Sequence, residues 1–257
     1  MANFSSKLNT IAKNTDSYLK IVFSRQNNKS RLIKSMKYGI FSGGKRFRSA
    51  IVVNTGKIFG INYKKLIIIG AAVECLHSYS LMHDDLPSMD NDELRRGRPS
   101  THKKFNEFTA ILAGNSLLTL AFEILSSSEL KVSQKIKNEL IRALANCSGH
   151  SGLAGGQYLD LTFENKNISK RNIINMQKKK TGELFGFCCE SIAVINKENI
   201  KKRKLFREIG LQIGLLFQIV DDLIDYKGDS AIVGKPTKSD EKKGKATLVS
   251  LLGYSET

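Results

Sequence analysis

The chain has 257 residues, a formal net charge of +17 and four cysteines, and hydrophobic residues make up 41% of it. This length can bury a core, and we expect one domain over residues 1–257. Neither a long apolar run at the N-terminus nor a membrane-spanning stretch is found, which predicts a cytoplasmic protein without an integral membrane segment. The basic runs lack aromatic or zinc-finger patterns, so we expect no nucleic-acid partner. The cysteines are interpreted as reduced core thiols.

Helical patterning dominates the chain, and no convincing strand alternation or hairpin dipeptide interrupts it. The prolines lie beside charged clusters, where helices are expected to stop. The glycine-rich stretch 149–157 follows a helix rather than a strand and is interpreted as close helix packing. An all-α fold is therefore predicted, with helices at 5–24, 29–41, 46–59, 64–85, 104–126, 131–150, 170–196, 201–226 and 241–252.

Five acidic residues and then three arginines occupy the stretch HDDLPSMDNDELRRGRPS, residues 83–100. The predicted helix 64–85 ends in Asp84 and Asp85, and Pro87 stops it. A loop after Pro87 can return Asp90 to the side of Asp84. Carboxylates without thiolates or paired imidazoles favour Mg²⁺ over Zn²⁺. The stretch therefore predicts a magnesium site.

A second acidic cluster, DDLIDYKGD, begins at Asp221 near the end of the predicted helix 201–226. Asp221 and Asp225 are four residues apart and share a helix face. That face continues backward through Gln218, Gly214 and Gly210 and is expected to line a cavity or solvent. The core side is expected to consist of Leu205, Ile209, Ile213, Leu216 and Val220. If the two acidic helices face each other, their carboxylates meet at the mouth of a deep apolar cavity.

Arginine and lysine residues occur near both acidic clusters. They are expected to bind an anion that also contacts the metal. Arginine forks match phosphate oxygens, and lysines add point charge. Several of these cations follow glycines, in the segments SGGKRFRS (42–49), RRGRP (95–99), KKTG (179–182) and VGKP (233–236).

In these motifs the sequence resembles the trans-isoprenyl diphosphate synthases, and among them the bacterial farnesyl diphosphate synthases. The motifs occur in order from residue 43 onward. They are Gly43-Gly44-Lys45-Arg46-x-Arg48, Asp84-Asp85-x-x-x-x-Asp90, Arg95-Arg96-Gly97-x-Pro99, Gly155-Gly156-Gln157-x-x-Asp160, Lys180-Thr181-Gly182, Phe217-Gln218, Asp221-Asp222-x-x-Asp225 and Gly234-Lys235.

The resemblance implies about ten helices around a deep central cavity, usually in a homodimer. It implies Mg²⁺-dependent condensation of isopentenyl diphosphate with dimethylallyl or geranyl diphosphate. Of three Mg²⁺ ions held with substrate, Asp84 and Asp90 would bind two and Asp221 the third. Neighbouring carboxylates would support these ligands, namely Asp85, Asp222 and Asp225.

The resemblance also assigns the substrate-binding residues. The allylic diphosphate would be held by Arg95, Lys180 and Lys235. Isopentenyl diphosphate would be held by Gly44, Lys45, Arg48, His77 and Arg96. The allylic cation would be steadied by Lys180, Thr181 and Gln218. His77 retains the alternative of an ordinary core histidine, and His83, His102 and His150 are interpreted as structural.

Product length depends on the residues before the first aspartate motif. In the family, four residues between the second and third aspartates, with an aromatic residue five positions before the motif, accompany a fifteen-carbon product. Here Asp85 and Asp90 have this spacing, and Tyr79 is the aromatic residue. A helical projection places Ser80 nearer the face of Asp84, so either residue could form the cavity floor.

Two alternatives to a farnesyl diphosphate synthase remain. One is a geranyl or geranylgeranyl diphosphate synthase, and the other is an inactive regulatory subunit of the same family. The intact aspartate motifs favour an active enzyme, and a terpene cyclase would not need the Gly43 to Arg48 motif. The family usually continues beyond the region of Lys245 and Thr247, so the chain is expected to be short at its C-terminus.

Overall fold

The computed structural model describes residues 2–26, 29–227 and 239–257, and helices form nearly all the regular structure in these ranges. The all-α prediction is confirmed. The helices of the first half are α1 (Ala2–Ser24), α2 (Arg31–Ile40), α3 (Phe47–Ile58), α4 (Tyr63–Asp84), α5 (Thr101–Lys104), α6 (Glu107–Ser126) and α7 (Gln134–Ser148). The helices that follow are α8 (Leu153–Thr162), α9 (Lys170–Gln177), α10 (Glu183–Ile195), α11 (Ile200–Lys227), α12 (Ser239–Lys242) and α13 (Leu248–Leu252).

Some predicted helices are divided by local chemistry. The predicted helix 104–126 begins at the last residue of α5 and otherwise corresponds to α6. The two helices are separate because the Asn106 side chain accepts a hydrogen bond from the Thr109 amide and caps α6. The predicted helix 170–196 contains a π-helix, Lys178–Gly182, between α9 and α10. A short 3₁₀ helix, Ser128–Leu130, precedes α7.

The glycine-rich stretch continues into a helix that the sequence analysis did not predict, α8. A Cβ atom on Gly156 would lie 2.1 Å from the backbone nitrogen of Lys180. Only glycine allows this approach, so the interpretation of the stretch as close helix packing is confirmed.

A small hairpin is the other element that the sequence did not predict. Strands β1 (Leu94–Arg95) and β2 (Arg98–Pro99) pair antiparallel. The two turn residues, Arg96 and Gly97, have φ values of 54° and 71°, as a two-residue hairpin turn of this hand requires. The turn fixes the direction of the neighbouring arginine side chains.

The chain divides into two compact units, of which the first comprises Met1–Ile141 and Ser191–Glu198. Helix α4 lies at its centre and packs against α1, α3 and α6. Every residue of α4 from Leu66 to Leu76 is buried, because a helix that is apolar on all sides needs partners on all sides.

Helices α4 and α6 are long and apolar enough to cross a membrane by length and composition. The protein itself buries 78% of the apolar window of α4 and 50% of that of α6. Both helices are therefore interpreted as core helices of the first unit.

The second unit comprises Arg142–Glu190 and Asn199–Thr257. Helix α11 packs against the π-helix, α9, α12 and α13. A small apolar cluster supports the last of these helices and contains Ile173, Ala246 and Leu248. The four cysteines of the chain are buried and free, as expected.

The predicted orientation of α11 is wrong. Gly210 and Gly214 face protein, and a Cβ atom on Gly210 would lie 2.3 Å from the carbonyl oxygen of Phe185. Four of the five apolar residues assigned to the core are instead exposed, with fractions of 57% for Leu205, 45% for Ile209, 62% for Leu216 and 44% for Val220, and Ile213 is partly exposed. The missing side chains of the glycines allow backbones to approach, and this contact decides which face is buried.

This orientation predicts opposite outcomes for two substitutions in α11. Gly210→Ala should lower the free energy of unfolding by about 1–3 kcal/mol, because backbone atoms of α10 occupy the space that the methyl group needs. Leu216→Ala should change it by less than about 1 kcal/mol, because most of this side chain is already exposed. Chemical denaturation measures both. The reverse order of effects would restore the orientation predicted from the sequence.

Candidate active site

The backbone after α4 returns to the end of that helix. The amide of Asp90 donates to the carbonyl of Asp84 at 2.9 Å, and the amide of Asn91 donates to the carbonyl of Leu86 at 3.1 Å. Asn91 has a φ of 51°, a conformation that asparagine tolerates better than most residues. The loop therefore brings together the two residues of this unit that were predicted to bind metal.

The neighbouring carboxylate of Asp85 is buried and paired with Arg95. The Nε atom of Arg95 donates to Oδ1 of Asp85 at 2.9 Å, and its Nη2 atom contacts the same oxygen. Burial raises the pKa of Asp85, and Arg95 opposes part of this shift. Arg95 also lies 3.6 Å from Oδ2 of Asp92. Its guanidinium is thus held at the acidic cluster.

The glycine loop before α3 meets the hairpin turn. Gly43 and Gly44 have φ values of 94° and 116°. Nη1 of Arg96 donates to the carbonyl of Gly43, and a Cβ atom on Gly44 would lie 2.6 Å from that same nitrogen. Two residues predicted to bind isopentenyl diphosphate, Gly44 and Arg96, are therefore in contact. Lys45 is exposed on the same loop.

His77 lies beside a second arginine of this group. Nη1 of Arg48 is 3.3 Å from Nε2 of His77, and because a guanidinium only donates, the imidazole nitrogen accepts. Burial lowers the pKa of His77 well below its usual range, and Arg48 and Arg96 lower it further. His77 is therefore neutral among cations, in a positive environment that suits an anion.

Arg46 differs from its neighbours in the same motif. Its side chain is buried, and Nε donates to Asp16 at 2.9 Å while Nη1 lies 3.6 Å from Glu74. Its guanidinium joins α1, α3 and α4, so grouping it with the anion-binding cations was wrong.

The two residues proposed as a cavity floor have different surroundings. Ser80 is buried, and its hydroxyl donates to the carbonyl of His77 at 2.9 Å. Tyr79 is partly exposed, and its ring meets that of His83 with centroids 4.8 Å apart. Burial raises the pKa of the Tyr79 phenol, and Asp84 raises it further.

In the second unit, the π-helix carries Lys180 and Thr181. The Thr181 hydroxyl donates to Oε1 of Gln218 at 2.7 Å, and Nε2 of Gln218 donates to Asp222 at 2.8 Å. Gln177 donates to the other Asp222 oxygen at 2.7 Å. Burial raises the pKa of Asp222 to about 7, and the Gln218 hydrogen bond opposes this. The network fixes the orientation of Thr181 and Gln218, and single-turn π-helices are frequent at functional sites.

Two lysines share the carboxylate of Asp160, a residue to which the sequence motifs assign no role. Oδ2 of Asp160 lies 2.7 Å from Nζ of Lys180 and 2.8 Å from Nζ of Lys245. Burial alone would raise the pKa of Asp160, but the two lysines outweigh it and hold the pKa below its usual range. Glu164 lies 2.8 Å from Lys245 as well. The motif from Gly155 to Asp160 includes Asp160. Its partner Lys245 could not be predicted from this motif, because it lies 85 residues away in the sequence.

The rest of the second acidic cluster is only partly described. Asp225 is buried and accepts a hydrogen bond from the Asp240 amide at 3.1 Å, and Asp221 is partly exposed. Lys235 lies outside the described residues. Within the described ranges, no group of three or more His, Cys, Asp or Glu residues has the arrangement of a metal site.

Gln157 has a buried amide with no hydrogen-bond partner for either its oxygen or its nitrogen among the described residues. Buried amides are nearly always paired in proteins, so such a group is a candidate for contact with a ligand. It lies one residue from Gly156, which contacts the backbone of Lys180.

Comparison with known proteins gives a family match over most of the chain. A sequence model of the family described as polyprenyl synthetase matches residues 29–257. The farnesyl diphosphate synthase of Escherichia coli is 42% identical over 228 residues, which are 88% of this chain and 76% of the relative.

Two solved structures agree with this match. The apo structure of an FPP/GFPP synthase from Zymomonas mobilis has a TM-score of 0.83 and 37% identity, covering 98% of this chain and 87% of that one. A geranyltransferase from Helicobacter pylori, complexed with magnesium and isoprenyl diphosphate, has a TM-score of 0.84 and 32% identity over 98% of this chain and 84% of that one.

The role of Asp160 predicts a pH-dependent loss of stability. Asp160→Asn should lower the free energy of unfolding at pH 7 by about 1–3 kcal/mol, less than for a fully buried pair because part of Lys180 is exposed. The folded-state pKa of Asp160 lies below its ordinary value of 3.8, so the difference from wild type should be complete at pH 7 and shrink as the pH falls below 3.8.

The matched control is Glu164→Gln, which removes one partner of Lys245 and leaves Asp160 in place. It should cost less than about 1 kcal/mol, because Glu164 is partly exposed. Denaturation at several pH values measures both variants. Equal losses in the two would contradict the central place of Asp160.

Proposed function

This chain belongs to the polyprenyl synthetase family, and from that premise we propose that it condenses isopentenyl diphosphate with dimethylallyl or geranyl diphosphate to give farnesyl diphosphate. One observation in the first unit carries the proposal. The loop that holds Asp84 and Asp90 runs directly into the hairpin whose Arg96 contacts the glycine loop. Carboxylates for a metal and cations for a diphosphate are thus built into one continuous segment.

The proposed reaction is a substitution at carbon 1 of the allylic substrate. The carbon–oxygen bond breaks, and diphosphate leaves with the electron pair. The double bond of isopentenyl diphosphate forms the new carbon–carbon bond, and a proton is then lost to the released diphosphate. The products are a prenyl diphosphate longer by five carbons and inorganic diphosphate.

Mg²⁺ is the proposed cofactor, since it would neutralise negative charge on the leaving diphosphate. Carboxylate oxygens are the ligands that it prefers, and Asp84, Asp90 and Asp221 are the proposed ligands. The presence of magnesium with isoprenyl diphosphate in the Helicobacter pylori geranyltransferase supports this choice. Three ions are proposed, with Asp85, Asp222 and Asp225 supporting the ligands.

The diphosphate groups are proposed to bind where cations are already held by the protein. For isopentenyl diphosphate, Arg48, His77 and Arg96 form the positive environment described above, with Gly44 and Lys45 on the adjoining loop. Neutral His77 can donate through Nδ1. For the allylic diphosphate, Arg95, Lys180 and Lys235 are the proposed contacts, and Asp160 would keep Lys180 in position.

The allylic cation needs nearby dipoles and no water. Thr181 and Gln218 are proposed to supply these dipoles, and their hydrogen bonds fix both side chains before substrate binds. Lys180 lies next to Thr181 on the π-helix and would complete this group through the dipole of its backbone carbonyl, since its ammonium group would repel a carbocation.

A fifteen-carbon product is proposed, with the Tyr79 ring rather than Ser80 as the stop. The supporting observation is that Ser80 is buried, whereas Tyr79 is partly exposed and bulky. A ten- or twenty-carbon product, or an inactive regulatory subunit, would be recognised directly in the product assay described below.

A homodimer in the cytoplasm is the proposed assembly. Helix α6 exposes apolar side chains on one face, with fractions of 66% for Phe108, 40% for Ile111 and 51% for Leu112. Exposed apolar residues grouped in this way are typical of a protein interface. A second copy of the chain could cover them.

A product assay tests the proposed reaction. With Mg²⁺, isopentenyl diphosphate and either dimethylallyl or geranyl diphosphate, the wild type should yield a fifteen-carbon diphosphate, and a chelator should abolish it. Asp84→Ala should reduce turnover by at least about a hundredfold without changing helix content, because a metal ligand is lost. Glu123→Ala, an exposed acidic change on α6, is the control and should be fully active. Full activity of Asp84→Ala would contradict the metal assignment.

Light scattering tests the proposed dimer. The wild type should have twice the chain mass of 28.6 kDa, and Phe108→Glu should have the mass of one chain because a charge cannot be buried unpaired at the interface. Lys13→Glu on the exposed side of α1 is the control and should stay dimeric. A monomeric wild type, or a dimeric Phe108→Glu variant, would contradict this interface.

A further inference from the structure

His83, which its sequence context indicates to be a structural residue, contacts α6. Its Nε2 atom lies 3.1 Å from the carbonyl oxygen of Ile111. Because a carbonyl only accepts, Nε2 must carry the proton and donate.

Gly114 provides the space in which the ring of His83 lies. A Cβ atom at this position would be 2.4 Å from Nε2 and 2.5 Å from Cδ2 of His83. Real Cβ atoms essentially never come so close to another atom, so any larger residue would move the ring away from the Ile111 carbonyl. Gly114 lies within α6, where glycine lowers helix stability. The close contact with His83 explains why a glycine occurs at this position.

The ring of His83 also contacts the ring of Tyr79. The two residues are four apart on α4 and so lie on the same face. Their ring centroids are 4.8 Å apart and the ring planes are inclined at 68°, the edge-to-face arrangement that aromatic pairs favour. Tyr79 therefore packs against a ring that α6 also contacts.

We propose that His83 is a positioning residue for product length: Gly114 and the Ile111 carbonyl fix its ring, and the ring holds Tyr79 across the path of the growing chain. The inference rests on the proposed function, because it requires Tyr79 to be the stop. It adds two residues, His83 and Gly114, that never touch the substrate. A tyrosine without this support could turn aside and admit a further five-carbon unit.

The test is the ratio of twenty-carbon to fifteen-carbon product, which a general loss of stability would not change. His83→Ala removes the support, and the ratio should rise by roughly threefold to tenfold, the range expected for loss of one aromatic contact. Gly114→Ala keeps both rings but displaces His83, and the ratio should rise in the same direction. His83→Gln keeps an N–H donor for Ile111 without the ring, and it should resemble His83→Ala.

Two further variants make the outcome decisive. Tyr79→Ala is the reference for an open floor and should give the highest ratio. Ser126→Ala, at the far end of α6, is the control and should match the wild type. If Tyr79→Ala lengthens the product while the His83 and Gly114 variants do not, the positioning role of His83 is overturned. Tyr79 would then still be the residue that limits product length. An unchanged ratio in Tyr79→Ala overturns both, and a wild type that forms no prenyl diphosphate overturns the proposed function itself.

Discussion

Burying carboxylates is the constraint on which most of this structure depends, because an ionised group that leaves water needs donors to replace it. In the described part of the chain, five are buried: Glu74, Asp85, Asp160, Asp222 and Asp225. Each accepts hydrogen bonds from its own unit, supplied by arginines, lysines, glutamines or backbone amides. The elements that carry these donors are therefore held together around the carboxylates.

The kind of donor determines the charge of each carboxylate. Two lysines hold the pKa of Asp160 below its usual range against the effect of burial. Burial raises the pKa of Asp222 to about 7, because its partners Gln218 and Gln177 are neutral and oppose this effect only in part, and Asp240 and Asp221 raise the pKa further. Asp160 thus stays ionised and fixes the cations beside it, while Asp222 orients amide groups. Two residues of the same type in one unit perform different tasks because their neighbours differ.

The sequence was informative where local spacing decides the outcome. The return of Asp90 to Asp84 follows from a helix that ends just before a proline, and the all-α fold follows from periodicity. The orientation of α11 could not be predicted in this way, because it depends on glycine contacts with the distant α10. The same holds for the pairing of Asp160 with Lys245 and for the π-helix, since a periodic pattern does not reveal an added residue in a turn. The motif also does not distinguish Arg46 from Arg48. Only the folded structure shows that Arg46 is buried and Arg48 is partly buried.

The π-helix at residues 178–182 makes the length of this segment as important as its composition. Each residue of an α-helix turns the chain by about 100°, so removing one residue here would rotate α10 by that angle relative to α9. The Gly156 contact with the Lys180 backbone and the Gly214 contact with Gly182 lie on this segment and would be lost together. Substitutions can be accommodated singly around the site, but a deletion of one residue would dismantle both helix contacts at once.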